Sequence, residues 1–479
     1  MFMSSRLVLL KNIVWSAIDK LSMNLIQLVT TVIMARFVSP SDFGVVALIN
    51  VFLVVSQIFV DSGLNIGLVQ KRCEDKITFS SVFYFNLSVS FVLYFIFFFL
   101  SPFIADFYGK YELTFLIRVA ALNIIVSAFS YIQKTILVMR YELKAQAKIT
   151  FVSMMLAAMT GVFLAINDFG VWALIAQTLL FNVLSTVLLF TFSYWSPALT
   201  FSFQSIKGIF SYSYGIMFTS LFQVLYNNLY TLLIAKFYSS SAVGFYNRSQ
   251  TIVELVSSNI FYIIQRPYFV YQCDVKDNKK LSATAFIDFL RMSMLMILPI
   301  LVGGAVLADS IIVSLLTEKW IAAIPIFRIL CVSSLFSPII LTNMNIFKVV
   351  GESGKFLKLE VIKKVIAILI LLFTINKGVL FICYGLFISN IIDLIITTLF
   401  SFKVTGISIM YQLKSTCDII FSSFLMGVFL WILSLFIESC IIEFVVGLLS
   451  GAFIYALLLL LMKNKEIYNL YNSFILKYM

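Results

Sequence analysis

The sequence predicts an all-α integral membrane protein of about fourteen transmembrane helices: two six-helix lobes in parallel repeat around a central cavity, plus two extra C-terminal helices. Three observations predict it. Of 479 residues, 62% are hydrophobic and only 12% are charged, with a mean hydropathy of +1.05. A soluble core could not absorb so much apolar side chain, so lipid has to be the solvent. Apolar runs of roughly twenty residues recur along the whole chain, the length that crosses a hydrocarbon layer roughly 30 Å thick. Between the runs, lysine and arginine alternate between dense and sparse connections, the pattern that orients helical membrane proteins.

The runs place spans near 13–37, 43–68, 79–100, 113–138, 147–166, 170–193, 209–235, 242–265, 286–308, 321–346, 358–376, 379–401, 416–436 and 440–462. Long continuous runs favour helices, because a lipid-exposed backbone must satisfy its own hydrogen bonds, and a barrel would need short alternating segments. The first run outlasts a cleavable signal core and reads as a retained first helix. With the N-terminus inside, the inside segments hold 21 lysines and arginines, among them Arg72, Lys463, Lys465 and Lys477. The outside segments hold five: Arg36, Lys110, Lys236, Lys319 and Lys377. Both termini are therefore expected in the cytoplasm. No connection is long enough to be a domain. The largest, around 266–286, reads as a cytoplasmic loop with room for a short surface helix.

The chain repeats itself. Residues 35–44 read Ala-Arg-Phe-Val-Ser-Pro-Ser-Asp-Phe-Gly and residues 235–244 read Ala-Lys-Phe-Tyr-Ser-Ser-Ser-Ala-Val-Gly, with five of ten positions identical. Both lie between an odd span and the next even one, spans one and two and then seven and eight. Six spans is an even number, so both halves enter the membrane in the same orientation. The division expected is 1–200 for spans one to six, 201–410 for spans seven to twelve, and 411–479 for two additional spans and a tail.

Two facing lobes enclose a cavity, whose lining should appear as polar stripes at helical spacing. Span one carries Lys20, Asn24, Gln27 and Thr31, and span two carries Asn50, Gln57 and Asp61. Span four carries Asn123, Ser127, Ser130 and Lys134. Span seven carries Thr219, Gln223, Asn227 and Tyr230, at the place equivalent to span one. Span eight carries Arg248, Thr251, Asn259, Tyr262 and Arg266, and Arg328 stands alone in span ten. A charge near the bilayer centre costs at least about 2.5–3.5 kcal/mol, which argues for water beside Arg248 and Arg328. Lys20, Lys134 and Arg266 lie toward the cytoplasmic ends, where snorkelling competes with that reading. A cationic cavity wall suits a phosphate, which guanidinium and ammonium groups hold through charge-assisted hydrogen bonds. Asp61, Glu254 and Asp393 are the acids placed to pair with these cations or to carry a coupling ion.

Other chemistries find little support. The absence of histidine removes the commonest acid–base group and metal ligand. The six cysteines, Cys73, Cys273, Cys331, Cys383, Cys417 and Cys440, show no ligand spacing, so no metal and no cofactor is expected. The net charge of +12 is spread over loops, which is no nucleic-acid footprint. Gly351-Glu-Ser-Gly-Lys355 lacks the spacing of a phosphate loop and has Phe356 where a hydroxyl is needed, so it reads as a turn. Gly447 and Gly451 form a weak close-packing motif, and Pro299, Pro325 and Pro338 mark bends. Glu438 and Glu443 are the only close pair of outer carboxylates, which argues against a membrane polymerase or glycosyltransferase.

Ser39-Pro-Ser-Asp-Phe-Gly-Val-Val-Ala-Leu, Asp61-Ser-Gly-Leu-Asn-Ile-Gly-Leu-Val-Gln, Phe83-Tyr-Phe-Asn86, Gly244-Phe-Tyr-Asn-Arg-Ser, Asn259-Ile-Phe-Tyr-Ile-Ile-Gln-Arg266 and Glu318-Lys-Trp320 carry a resemblance. The chain resembles bacterial polysaccharide and O-antigen flippases, the Wzx-type and colanic-acid-type exporters of the multidrug/oligosaccharidyl-lipid/polysaccharide superfamily. The similarity is weakest after about residue 410. It implies a non-enzymatic transporter of the bacterial inner membrane, with two six-helix bundles in a V and two further helices. It also implies that an undecaprenyl-diphosphate-linked oligosaccharide passes from the cytoplasmic to the outer leaflet, with membrane lipids and a polysaccharide polymerase as candidate partners. A cationic central cavity would receive the diphosphate. That role transfers to Arg36, Arg248 and Arg266, which lie in or beside matching segments. For Lys20, Lys134 and Arg328 it rests on stripe and depth alone. A MATE-like drug or metabolite antiporter is the alternative, and a lumen dominated by acids would have favoured it.

Overall fold

The structure, a computed structural model, describes residues 2–71, 75–140, 142–193, 195–462 and 464. Arg72, Cys73, Lys463, Lys465 and Lys477 lie outside the described residues. Every described element is helical. The first nine helices are α1 (Phe2–Phe37), α2 (Pro40–Asp61), α3 (Leu64–Lys71), α4 (Lys76–Phe107), α5 (Leu113–Ala120), α6 (Leu122–Met139), α7 (Leu143–Ile166), α8 (Val171–Ser193) and α9 (Phe203–Phe237). Then come α10 (Ser240–Glu254), a π-helical turn at Leu255–Asn259, α11 (Ile260–Val275), α12 (Lys279–Val306) and α13 (Ala308–Leu316). The chain ends with α14 (Ile324–Ser334), α15 (Ser337–Val350), α16 (Ser353–Thr374), α17 (Val379–Thr405), α18 (Ile409–Ser415), α19 (Cys417–Ser434) and α20 (Cys440–Leu461).

Among the described residues, nine helices are long and apolar enough to cross a membrane, or ten if the α14–α15 pair, bent by 43°, is one span. The expected spans that fall short do so for separate reasons. In α9 the polar stripe dilutes the apolar run, and α16 carries Lys358, Glu360, Lys363 and Lys364. The π turn divides α10 from α11. One expectation is corrected: the supposed loop at 266–286 is helix through Val275 and again from Lys279. Pro267 is accommodated inside α11, and Asn278 caps α12 by accepting from the backbone N–H of Lys280 and Leu281.

Contacts divide the chain into two units, one up to Gly244 and one from Phe245. In the first, Leu64, Leu68, Phe79, Val82, Phe83, Ile132, Ile136 and Ile209 form a core drawn from α3, α4, α6 and α9. In the second, Leu290, Met294, Leu298, Ile339, Ile419 and Leu459 tie the last two helices to α12 and α15. Lipid is as apolar as these side chains, so close packing and interhelical hydrogen bonds have to hold the helices together. Asn182 on α8 donates to Asn123 on α6 at 2.8 Å. Asn343 on α15 donates to Gln412 on α18 at 2.8 Å and accepts from Ser401 on α17. Arg291 on α12 grips Asp418 on α19 in a fork of 3.0 and 2.7 Å.

Small residues admit the closest approaches. After Asp61 the chain turns through Ser62 and Gly63, both in the left-handed region, so expected span two is two helices. A Cβ on Gly63 would lie 2.8 Å from the carbonyl oxygen of Ser213, and one on Gly67 would lie 2.5 Å from Ile209. These glycines let α9 lie against α3. The weak Gly447/Gly451 motif is used likewise: a Cβ on Gly447 would lie 2.8 Å from Leu307, and one on Gly451 3.3 Å from Leu430.

Candidate functional site

The repeat found in the sequence is a local structure. Ser39 caps α2: its hydroxyl accepts from the Asp42 N–H at 3.2 Å, the Asp42 carboxylate accepts from the Ser39 N–H at 3.4 Å, and Pro40 opens the helix. This turn meets its counterpart within the first unit. A Cβ on Gly44 would stand 1.8 Å from the Ser240 carbonyl oxygen, and one on Gly244 would stand 2.0 Å from the Pro40 carbonyl oxygen. The two equivalent glycines thus admit each other's first helical turn reciprocally.

Within the first unit, Lys20, Gln27 and Arg36 on α1 and Gln223 and Asn227 on α9 are exposed, and Asn24 is half-buried. Gln223 donates to Asn227 at 3.2 Å. A membrane helix does not turn amides and ammonium groups to hydrocarbon without cost, so these faces need water or a polar ligand. Asp61 is half-buried and accepts from Asn65. The stripe of Asn123, Ser127 and Ser130 goes elsewhere: all three are buried, and both hydroxyls bond to carbonyls of their own helix. They pack the interior instead of lining a passage. Lys134, half-buried, feels the carboxylate of Asp19 on α1, an acid the stripe argument passed over.

In the second unit Arg248 is half-buried on α10, while Glu254 and Arg266 are exposed. Glu254 accepts from Gln250 at 2.7 Å. The π turn between Arg248 and Arg266 holds an extra residue, so the α-helical register assumed from one to the other does not run through unbroken. Arg328 is paired with Asp309 and donates to the Ala305 carbonyl at 3.2 Å.

Asp393 belongs to a charged cluster that the sequence reading saw only in part. Lys363 lies 3.6 Å from Asp393 and 3.3 Å from Glu360, and Lys364 lies 3.8 Å from Glu360. The cluster joins α16 to α17 with two cations against two anions. Lys363→Met is therefore expected to strand Asp393, since Glu360 keeps Lys364, and to destabilise the protein by about 3 kcal/mol, the lower end for breaking a buried pair. Adding Asp393→Leu should recover part of that loss. Melting of the detergent-solubilised single and double variants checks the cycle, and additive losses would refute the coupling. Among the described residues no cluster of metal-ligating side chains is found. An apolar cavity of about 410 Å³ lies in this unit, lined by Pro299, Gly303, Gly304, Phe444 and Gly447 among others.

Comparison with known proteins gives these elements a context. The family described as polysaccharide biosynthesis protein matches residues 33–325. The chain is 24% identical over 324 residues to the succinoglycan biosynthesis transport protein ExoT of Rhizobium meliloti, a match covering 67% of this chain and 65% of that protein. It thus spans a little under two thirds of that relative's length. It is 23% identical over 344 residues to the teichuronic acid biosynthesis protein TuaB of Bacillus subtilis, with 71% of each covered. The solved structure of the lipid II flippase MurJ in an inward closed conformation superimposes with a TM-score of 0.73 at 15% identity, covering 95% of this chain and all of that one. That likeness is one of fold.

Proposed function

We infer the function from family membership: the chain belongs to the polysaccharide biosynthesis protein family, and we propose that it is a flippase for a lipid-linked oligosaccharide. The carrier proposed is undecaprenyl diphosphate, and the movement proposed is from the cytoplasmic to the outer leaflet of a bacterial inner membrane, with both termini inside. The substrate leaves chemically unchanged, so the protein works as a transporter and not an enzyme. A polysaccharide polymerase is the partner expected to receive the product.

The observation that carries this reading is the distribution of polar side chains. Helices α1 and α9 hold exposed Lys20, Gln27, Arg36, Gln223 and Asn227, and the second unit holds exposed Arg266. We assign these residues, with Arg248, Lys134 and Asn24, to contacts with the diphosphate and sugars. Guanidinium and ammonium groups bind phosphate most strongly where water is scarce. The apolar cavity beside Gly303 and Gly447 offers room for part of the isoprenoid chain. Asp61, Glu254 and Asp393 are the groups assigned to a coupling ion. Two six-helix lobes, 1–200 and 201–410, would rock about the bound headgroup, with 411–479 accompanying the second.

Deleting the gene and analysing inner-membrane lipids tests the reading. The expected result is accumulation of one diphosphate-linked oligosaccharide on the cytoplasmic leaflet, with the corresponding surface glycan lost. An unchanged lipid-linked pool with altered glycan chain length would replace the flippase by a polymerase.

A further inference from the structure

A polar pocket lies at one end of the helices in the second unit. It has a volume of about 700 Å³ and is bounded by the end of α12, the start of α13, α14, the end of α19 and the first turn of α20. Its charged residues are Asp309, Arg328 and Glu443. Glu443 is 9% exposed, and among the described residues it has no cationic or hydrogen-bonding partner. The charge acting on it is another carboxylate, Asp309, whose own partner is Arg328. Two acids against one guanidinium leave the pocket one negative charge in excess. A carboxylate on the wall of such a pocket, facing another acid, is suited to a cation brought by something else.

The remaining lining narrows the choice. Trp431 is part of the lining and 57% exposed, and an indole face attracts an ammonium group. Arg328 is placed to offer its outer N–H groups to a phosphate. Val302 and Phe424 supply apolar wall. The pocket sits where α12 and α19 end and α20 begins, on the side that loop charges assign to the exterior.

We propose that this pocket binds the headgroup of an aminophospholipid of the outer leaflet: the primary ammonium on Glu443, Asp309 and the Trp431 ring, the adjoining phosphate on Arg328. This goes beyond the transport reading and does not depend on it. A bare inorganic cation would leave Trp431 and the apolar wall without a role, and an anionic lipid would meet the excess negative charge.

The test is native mass spectrometry of the full-length protein, released from micelles containing equal amounts of phosphatidylethanolamine, phosphatidylcholine and phosphatidylglycerol. The protein is expected to retain phosphatidylethanolamine about tenfold over either competitor, equivalent to roughly 1.4 kcal/mol. Glu443→Gln should abolish that preference, and Trp431→Leu should weaken it. Melting of Glu443→Gln should be no lower than wild type, because the change removes a carboxylate repulsion, so lost lipid would not reflect unfolding. Equal retention of the three lipids, or retention unchanged in Glu443→Gln, would overturn the assignment. So would binding of soluble phosphoethanolamine as tight as that of the lipid, which would give the pocket to a solute of the same chemistry.

Discussion

A cell carrying Arg248→Glu in place of the native chain is expected to hold normal amounts of the protein in its inner membrane and to display no glycan. Arg248 lies in α10, two turns before the π-helical segment at Leu255–Asn259, and is half-buried. In the proposed function its guanidinium holds the diphosphate by charge-assisted hydrogen bonds. Losing a charge-assisted hydrogen bond of about 1.5–3 kcal/mol should reduce transport by Arg248→Gln about tenfold to hundredfold. Reversal adds repulsion and should take it below detection. Arg248→Lys keeps the charge without the fork and should fall between. Immunoblotting of membranes alongside surface-glycan labelling checks the series. Normal display by a well-expressed Arg248→Glu chain would remove the cationic site from the mechanism.

Gly44→Ala and Gly244→Ala should each be severe, for a steric reason. Each new methyl would stand about 2 Å from a main-chain oxygen, 1.8 Å at Ser240 and 2.0 Å at Pro40. Neither atom belongs to a side chain that could rotate aside, so the two first turns must separate. Overpacking of this kind costs about 1–3 kcal/mol. Both variants should melt several degrees lower and export poorly. Gly215→Ala supplies the control, because nothing lies within 4 Å of its Cβ position. If Gly44→Ala behaved as Gly215→Ala does, the reciprocal crossing would be absent from the folded protein.

Much of this architecture can be read from the residues alone. Hydropathy marked helical structure at every expected span, because lipid imposes one solution on the backbone, but not where a span breaks into two helices. The ten-residue repeat marked Gly44 and Gly244 as equivalent positions, though nothing in it foretold that the two would touch. What stayed hidden depends on partners distant in sequence. The acid beside Arg328 is Asp309, on the preceding helix, and becomes visible only when α13 and α14 are folded. Asn123 looked like cavity lining until Asn182 was found bonded to it. The π turn has no local signature in Leu-Val-Ser-Ser-Asn. Lys363 and Lys364 were legible and were missed: Glu360 one turn earlier, inside an apolar run, marks a charge cluster at helical spacing.

The dilution of α9 by its amides bears on how the polypeptide is made. A nascent segment with Gln223, Asn227 and Asn228 along its length partitions weakly from the translocon into bilayer by itself. It is also the last long helix of the first unit to leave the ribosome, and its berth against α3 is lined by Gly63 and Gly67. The earlier helices must therefore stay near the exit site, assembled but incomplete, until α9 arrives to be taken up by protein surface instead of by hydrocarbon.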